Sequence, residues 1–181
     1  MRIMPSLETS LKLAQLLPNG LGGAIMATDC LHGQVKRDMV TKLRYPAWFP
    51  TALGLWKLCQ ASLNWVAAGA YTPVAQAMMA VQLGGACYTH AVVEGKPREV
   101  AGCVVFSLVT LGAQVAHGRL GIGGALALHA ALGLLGWAGG YVVSWLGASS
   151  DDQPESPVKM LRRMSGVHWD RMRGFDAGKN K

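Results

Sequence analysis

The chain has 181 residues, 17 basic and 10 acidic side chains, and a net charge of +7. Hydrophobic residues make up 51% of it and charged residues only 15%, against about 25% charged residues in soluble domains. This composition excludes a disordered chain and disfavours a soluble globule. The basic residues cluster in a few segments between long uncharged stretches, which argues against a nucleic-acid partner. The prediction is an integral membrane protein.

Four apolar stretches are long enough to cross a bilayer, which takes about 20 residues in a helix. They are residues 47–71, 73–93, 100–117 and 120–147, and Lys57 is the only Asp, Glu, Lys or Arg among them. The fold class predicted from them is all-α, an integral membrane helical bundle that occupies residues 1–147.

Residues 11–31 are a fifth candidate span, which makes the bundle one of four to five transmembrane helices. The stretch carries Lys12 and Asp29, and Pro18 should kink it or start a new helix, because proline lacks a backbone donor. Three interpretations stay open: a kinked membrane helix, a helix in the interface, or part of a targeting segment that is cleaved.

The basic residues between the spans predict the topology. The segments 32–46, 94–99 and 148–181 hold 13 of the 17 basic residues, and with five spans all three lie on one side of the membrane. Because positive charge is retained on the cytoplasmic or equivalent side, the first loop and the C-terminus are predicted there.

Residues 148–181 are predicted to form a basic extramembrane tail with a short amphipathic helix. Apolar and basic residues alternate in it in a way that suits either anionic lipid headgroups or an acidic protein surface. The predicted docking residues are Arg162, Arg163, Trp169, Arg171 and Arg173.

Lys57 is the most informative single residue, since a charge deep in a span must reach the surface, face a cavity or find a partner. Gln60 and Asn64 follow it at i+3 and i+7 and continue a polar stripe along the same helix. Asp29 is the first predicted partner of Lys57 and Glu94 the second. The stripe, with His90, indicates either an interhelical ion pair that fixes packing, a cavity for a small ligand or quinone head, or a contact with another subunit.

Histidines in membrane spans can ligate haem iron or the magnesium of chlorophyll. His90 and His129 lie deepest, but at different predicted depths, so they are only weak metal candidates and hydrogen-bonded packing is favoured. Lipid is the expected bound molecule.

Glycines in the span 120–147 form a small-residue surface that would let another helix approach closely. Gly133, Gly136 and Gly140 are the residues predicted to form this helix-association face.

Residues 45–116 resemble the DoxX-like family of small four-helix membrane proteins. The likeness lies in residues 45–50 and 53–58, in the stretch from Gly84 to His90, and in the short loop 94–98. It implies a helical bundle with an added C-terminal span, and it carries over no catalytic residue. Family members are similar to a quinone-linked oxidoreductase subunit and to a receptor-assembly chaperone.

The sequence contains no recognisable catalytic motif, so a non-catalytic accessory subunit of a larger respiratory or photosynthetic membrane complex is the leading hypothesis. Its partners would be other membrane subunits and lipids, in the mitochondrial inner or thylakoid membrane rather than the plasma membrane. The alternatives are a quinone-linked oxidoreductase subunit, a small-ligand-binding membrane protein or an assembly chaperone.

Overall fold

The computed structural model describes residues 6–28 and 33–148, and within these ranges the chain is helical, with no strand. The helices are α1 (Leu7–Leu16), α2 (Gly22–Ala27), α3 (Gln34–Thr41), α4 (Phe49–Leu63), α5 (Thr72–Tyr88), α6 (Val100–Ala116) and α7 (Ile122–Gly147). Asp29 and the predicted docking residues of the tail lie outside the described residues. The all-helical part of the prediction is therefore confirmed.

The irregularity expected near Pro18 takes the form of a π-helical turn. This turn, Leu17–Leu21, joins α1 to α2 and has Pro18 in its first positions. The hydrogen bonds of a π-helical turn span one more residue than those of an α-helix. The wider turn therefore accommodates the proline ring and its missing N–H donor while the chain stays helical.

The fourth helix is shorter than the predicted span 47–71. It ends at Leu63, and the chain then passes through a 3₁₀ turn in which Ala67 and Ala68 have φ of 50° and 54°. Left-handed residues cannot continue a right-handed helix, so the apolar run does not stay helical to its end. Nothing in the local sequence explains why two alanines adopt this conformation.

The other predicted spans correspond closely to helices. Pro73 lies in the first turn of α5, where its missing N–H costs nothing, and α5 continues through a π-helical turn, Thr89–Val93. A 3₁₀ turn, Pro97–Glu99, leads into α6.

Two helices of the described chain are long and apolar enough to cross a membrane. They are Pro97–Ala116, which includes the 3₁₀ turn before α6, and Ile122–Gly147. Only 22% and 6% of their most apolar windows are buried, so neither resembles the core helix of a soluble protein.

Close backbone contacts at glycines hold the helices together. A Cβ on Gly54 of α4 would meet the backbone of Ala27 in α2, and a Cβ on Gly136 of α7 would overlap the Val81 carbonyl of α5. Gly140 packs on the Tyr88 ring of α5, with the ring Cδ1 3.0 Å from an added Cβ. Gly136 and Gly140 of the predicted helix-association face therefore pack α7 against α5 of the same chain, whereas a Cβ added to Gly133 would meet nothing within 4 Å.

The interior of the bundle is unusually polar, whereas much of its outside is apolar. Buried side chains include Gln60, Gln76 and Thr110, each 0% exposed, while Leu134 and Leu17 are 72% and 71% exposed. In water this arrangement would leave apolar surface without a partner, since soluble monomers rarely expose large contiguous apolar patches.

Candidate functional site

Four polar side chains from four helices form a hydrogen-bonded layer in the bundle, which we call the amide layer. It consists of Gln15, Asn64, Gln76 and Thr110. Gln15 and Gln76 exchange amide hydrogen bonds of 2.8 and 2.9 Å, and Gln76 also donates to Asn64 Oδ1 at 2.9 Å. Because unsatisfied amides are costly away from water, these bonds fix the relative register of the helices.

Each residue of the amide layer has a second buried polar residue four positions away on its own helix or its continuation. The pairs are Gln15 and Asn19, Gln60 and Asn64, Thr72 and Gln76, and Thr110 and Gln114. Gln60 and Gln114 have no hydrogen-bond partner for either side-chain atom among the described residues. The bundle therefore buries more polar side chains than the hydrogen bonds of the amide layer account for.

A charged cluster links the beginning of α1 to the end of α6. Lys12 Nζ lies 2.6 Å from Glu8 Oε1, and the same carboxylate oxygen lies 3.2 Å from His117 Nδ1. Glu8 precedes the predicted span 11–31, and the hydrogen bond from Lys12 holds the pKa of its carboxyl below the ordinary value, although burial opposes this. Lys12 itself is buried, so the carboxylate compensates a charge that has little access to water.

Replacement E8Q is expected to lower the free energy of unfolding by about 1–3 kcal/mol at neutral pH, because it leaves the Lys12 ammonium buried without a counter-charge. The lowered pKa of Glu8 stabilises the fold above the ordinary value of 4.5, and this stabilisation is lost as the pH falls through the folded-state pKa. Thermal unfolding in detergent should therefore show a gap between wild type and E8Q that narrows on acidification. A gap independent of pH would contradict this account.

A cavity of about 450 Å³ lies between α4, α5, α7 and the segment before α4. Tyr45, Trp48, Phe49 and Trp56 provide its aromatic lining. Its remaining wall is built from aliphatic side chains and glycines, interrupted by the polar residues Lys57, Gln82, Thr89, His90 and Glu94. This volume and this mostly apolar lining with a few polar groups are typical of small-molecule sites.

Lys57 lines the cavity without an ion-pair or hydrogen-bond partner among residues 6–28 and 33–148. Its Nζ lies 3.8 Å from where a Cβ on Gly22 would be, so the side chain crosses the glycines of α2. Glu94, the second predicted partner, pairs with His90 instead at 2.7 Å, and Asp29 is outside the described residues.

The predicted polar stripe is divided between two environments. Lys57 and His90 both line the cavity, whereas Asn64 belongs to the amide layer and Gln60 is fully buried. The polar residues of α4 and its C-terminal end thus contribute Lys57 to the cavity and Gln60 and Asn64 to the core.

His90 lies in a second cluster at the end of α5. Its Nδ1 is 2.7 Å from Glu94 Oε2 and 3.4 Å from Glu99 Oε2, and Glu99 is brought back by the turn at Gly95, with φ of 66°. Among the described residues these three form the one group whose ligand atoms are close enough to hold a metal ion. His129 is not part of it, and its Nδ1 is buried without a partner in the described chain.

Comparison with known proteins does not assign a function to this site. No family model matches the chain, and no curated protein or solved structure matches it significantly. The likeness to the DoxX-like family therefore stays a prediction.

Sequence reasoning did not identify Gln15, Gln76 and Thr110 as a set, nor Gln82 and Glu99 as site residues. The i, i+4 spacing of polar residues in apolar helices was the available signal, since such pairs lie on one helix face.

Proposed function

We propose that this chain is a polytopic helical membrane protein that binds a small amphipathic molecule of the quinone class in the cavity beside Lys57. The observation that carries the proposal is the cavity itself, with its aromatic walls and with Lys57 in its lining. The protein would bind this molecule within the membrane or present it to a partner.

The distribution of polarity supports a membrane bundle of four to five spans. Buried hydrogen-bonded amides inside and exposed leucines outside suit a hydrocarbon solvent, in which polar groups must be satisfied within the protein. The helices α1, α4 and α5 are less apolar than α6 and α7, and they also carry most of the buried amides. Their lower hydropathy is thus compatible with spans that face one another.

The polar groups of the cavity support a ligand whose head accepts hydrogen bonds. Lys57 offers an ammonium donor, while Gln82 Oε1 is buried without a partner in the described chain and can accept a bond. A quinone head offers carbonyl acceptors, its reduced form offers hydroxyl donors, and its apolar tail suits the aromatic walls. His90 and Glu94 already bind each other, so Lys57 and Gln82 are the polar groups left for a ligand.

Binding can be tested with the tryptophans of the cavity as reporters. Titration of decylubiquinone into the purified protein in detergent is expected to quench Trp48 and Trp56 saturably. Variant K57M should weaken this binding at least about tenfold, the equivalent of roughly 1.4 kcal/mol. K42M is the matched control, because Lys42 is 70% exposed and does not line the cavity.

Quenching that does not saturate, or that is unchanged in K57M, would contradict the quinone proposal. Saturable binding of a dansyl-labelled fatty acid in place of the quinone would keep the cavity function and reassign the head to a carboxylate.

A second candidate function, favoured by α7, is that of an accessory subunit in a larger complex of an organelle energy-converting membrane. Only 6% of its most apolar window is buried, and Leu134 and Leu135 are 72% and 60% exposed, so the face turned away from α5 suits lipid or a helix of another subunit. Migration in blue-native electrophoresis only as a free species near 19.2 kDa would remove this candidate. The DoxX-like resemblance is compatible with both functions.

A further inference from the structure

We propose that His90, Glu94 and Glu99 form a binding site for a divalent transition-metal ion of the Zn²⁺ type. The site lies in the connection between α5 and α6, between the predicted spans 73–93 and 100–117. The evidence for it, the geometry of three side chains in this connection, does not depend on the quinone proposal.

The backbone brings the three ligands together by two local devices. The π-helical turn Thr89–Val93 places His90 and Glu94 on one face, with Glu94 N–H donating to the Thr89 carbonyl at 2.9 Å. Gly95 then reverses the chain, and the 3₁₀ turn Pro97–Glu99 returns the third side chain. Ligands from both sides of a short loop can thus meet one ion.

The geometry of the donor atoms suits one small ion. One ring nitrogen of His90 and one oxygen from each carboxylate all lie within 4.8 Å of one another. Ligand bonds to Zn²⁺ are about 2.0–2.2 Å long, so an ion placed among three atoms so close can reach each of them after small side-chain adjustments. Glu94 Oε2 and Glu99 Oε2 both approach Nδ1 of His90, which can donate only one proton. One proton cannot satisfy both carboxylates, whereas a metal ion can bind the nitrogen and both oxygens.

The charge of the cluster also favours a cation. Glu94 and Glu99 contribute two negative charges, and Lys96, 3.5 Å from Glu99 Oε1, offsets one of them when His90 is neutral. That ion pair is exposed and therefore weak, so a divalent ion can displace it. Glu99 is 49% exposed, which leaves the site open to water for exchange of the ion.

The donor set selects the class of ion. One imidazole nitrogen with two carboxylate oxygens suits Zn²⁺, Mn²⁺ or Fe²⁺, whereas Ca²⁺ and Mg²⁺ prefer ligand sets made entirely of oxygen. Three protein ligands leave a fourth position on the metal. His90 and Glu94 also line the cavity, so the proposed metal site borders it.

The test is equilibrium dialysis of the full, untagged chain in detergent against Zn²⁺ after treatment with EDTA, with bound metal measured by mass spectrometry. Wild type is expected to bind Zn²⁺ in the presence of excess Mg²⁺. Loss of a residue that only hydrogen-bonds to a metal ligand costs about tenfold in metal affinity. H90N and E99Q each remove a proposed ligand, so each should weaken Zn²⁺ binding at this site by at least about tenfold.

H117N is the matched control, since His117 is also paired with a glutamate but has no second carboxylate within reach in the described chain. E99Q also tests for misfolding. Because Glu99 is 49% exposed and does not line the cavity, metal-free E99Q should unfold at nearly the same temperature as metal-free wild type. Zn²⁺ binding that is absent in wild type, or that is equal in wild type, H90N and E99Q, would overturn the proposal.

Discussion

Variant G136A should lose at least about 3 kcal/mol of folding free energy, the upper end of the cost of overpacking. A Cβ at this position would overlap the Val81 carbonyl oxygen and come 2.6 Å from its carbonyl carbon. Both are backbone atoms, so no side-chain rotation can relieve the contact and α7 must separate from α5. Helices α5 and α7 pack against each other more extensively than any other pair of helices in the described chain, so the substitution disturbs the largest helix interface there.

Gly133 supplies the matched control one turn earlier on the same helix. An added Cβ there meets nothing within 4 Å, so G133A should be neutral or stabilise α7 by up to about 1 kcal/mol through its higher helix propensity. Thermal unfolding in detergent, followed by circular dichroism, measures both variants. Equal stability of G133A and G136A would mean that α7 does not pack on α5 in this register.

Hydropathy was sufficient to predict where α5, α6 and α7 lie, but it did not predict α3. The apolar runs 73–93, 100–117 and 120–147 each became helical over nearly their whole length, because no residue in them opposes helix geometry strongly. The run 47–71 was overestimated, because the left-handed conformation of Ala67 and Ala68 has no signal in composition or periodicity.

The functional site was predictable only in part. Depth alone identified Lys57 as a residue that must face a cavity or a partner, and it does line a cavity. Its separation from Asn64 could not be foreseen, because the packing of α2 and α5 against α4 decides which part of a polar stripe meets empty space. The cluster of His90 with Glu99 depends on the backbone at Gly95, so spacing along the chain did not show it.

Variant Q76L should lower the free energy of unfolding by about 2 kcal/mol. The substitution removes three hydrogen bonds, two with Gln15 and one with Asn64, and polar contacts between membrane helices are worth about 0.6 kcal/mol each on average. Leucine has a volume close to that of glutamine, so the loss arises from the hydrogen bonds that Gln15 and Asn64 lose rather than from a cavity. Gln15 keeps its longer bonds to Thr110 and Asn64. A double-mutant cycle with Q15L should show strong coupling, because each single change already disrupts the same pair.

Q114L separates the cost of a lost hydrogen bond from the cost of a buried amide. Gln114 is buried, but neither of its side-chain polar atoms has a partner in the described chain. Leucine at this position should therefore leave stability unchanged or raise it, since the burial of an unsatisfied amide is unfavourable. A loss for Q114L as large as that for Q76L would show that Gln114 binds a water or another group in the membrane. The amide layer would then be one part of a longer polar path through the bundle.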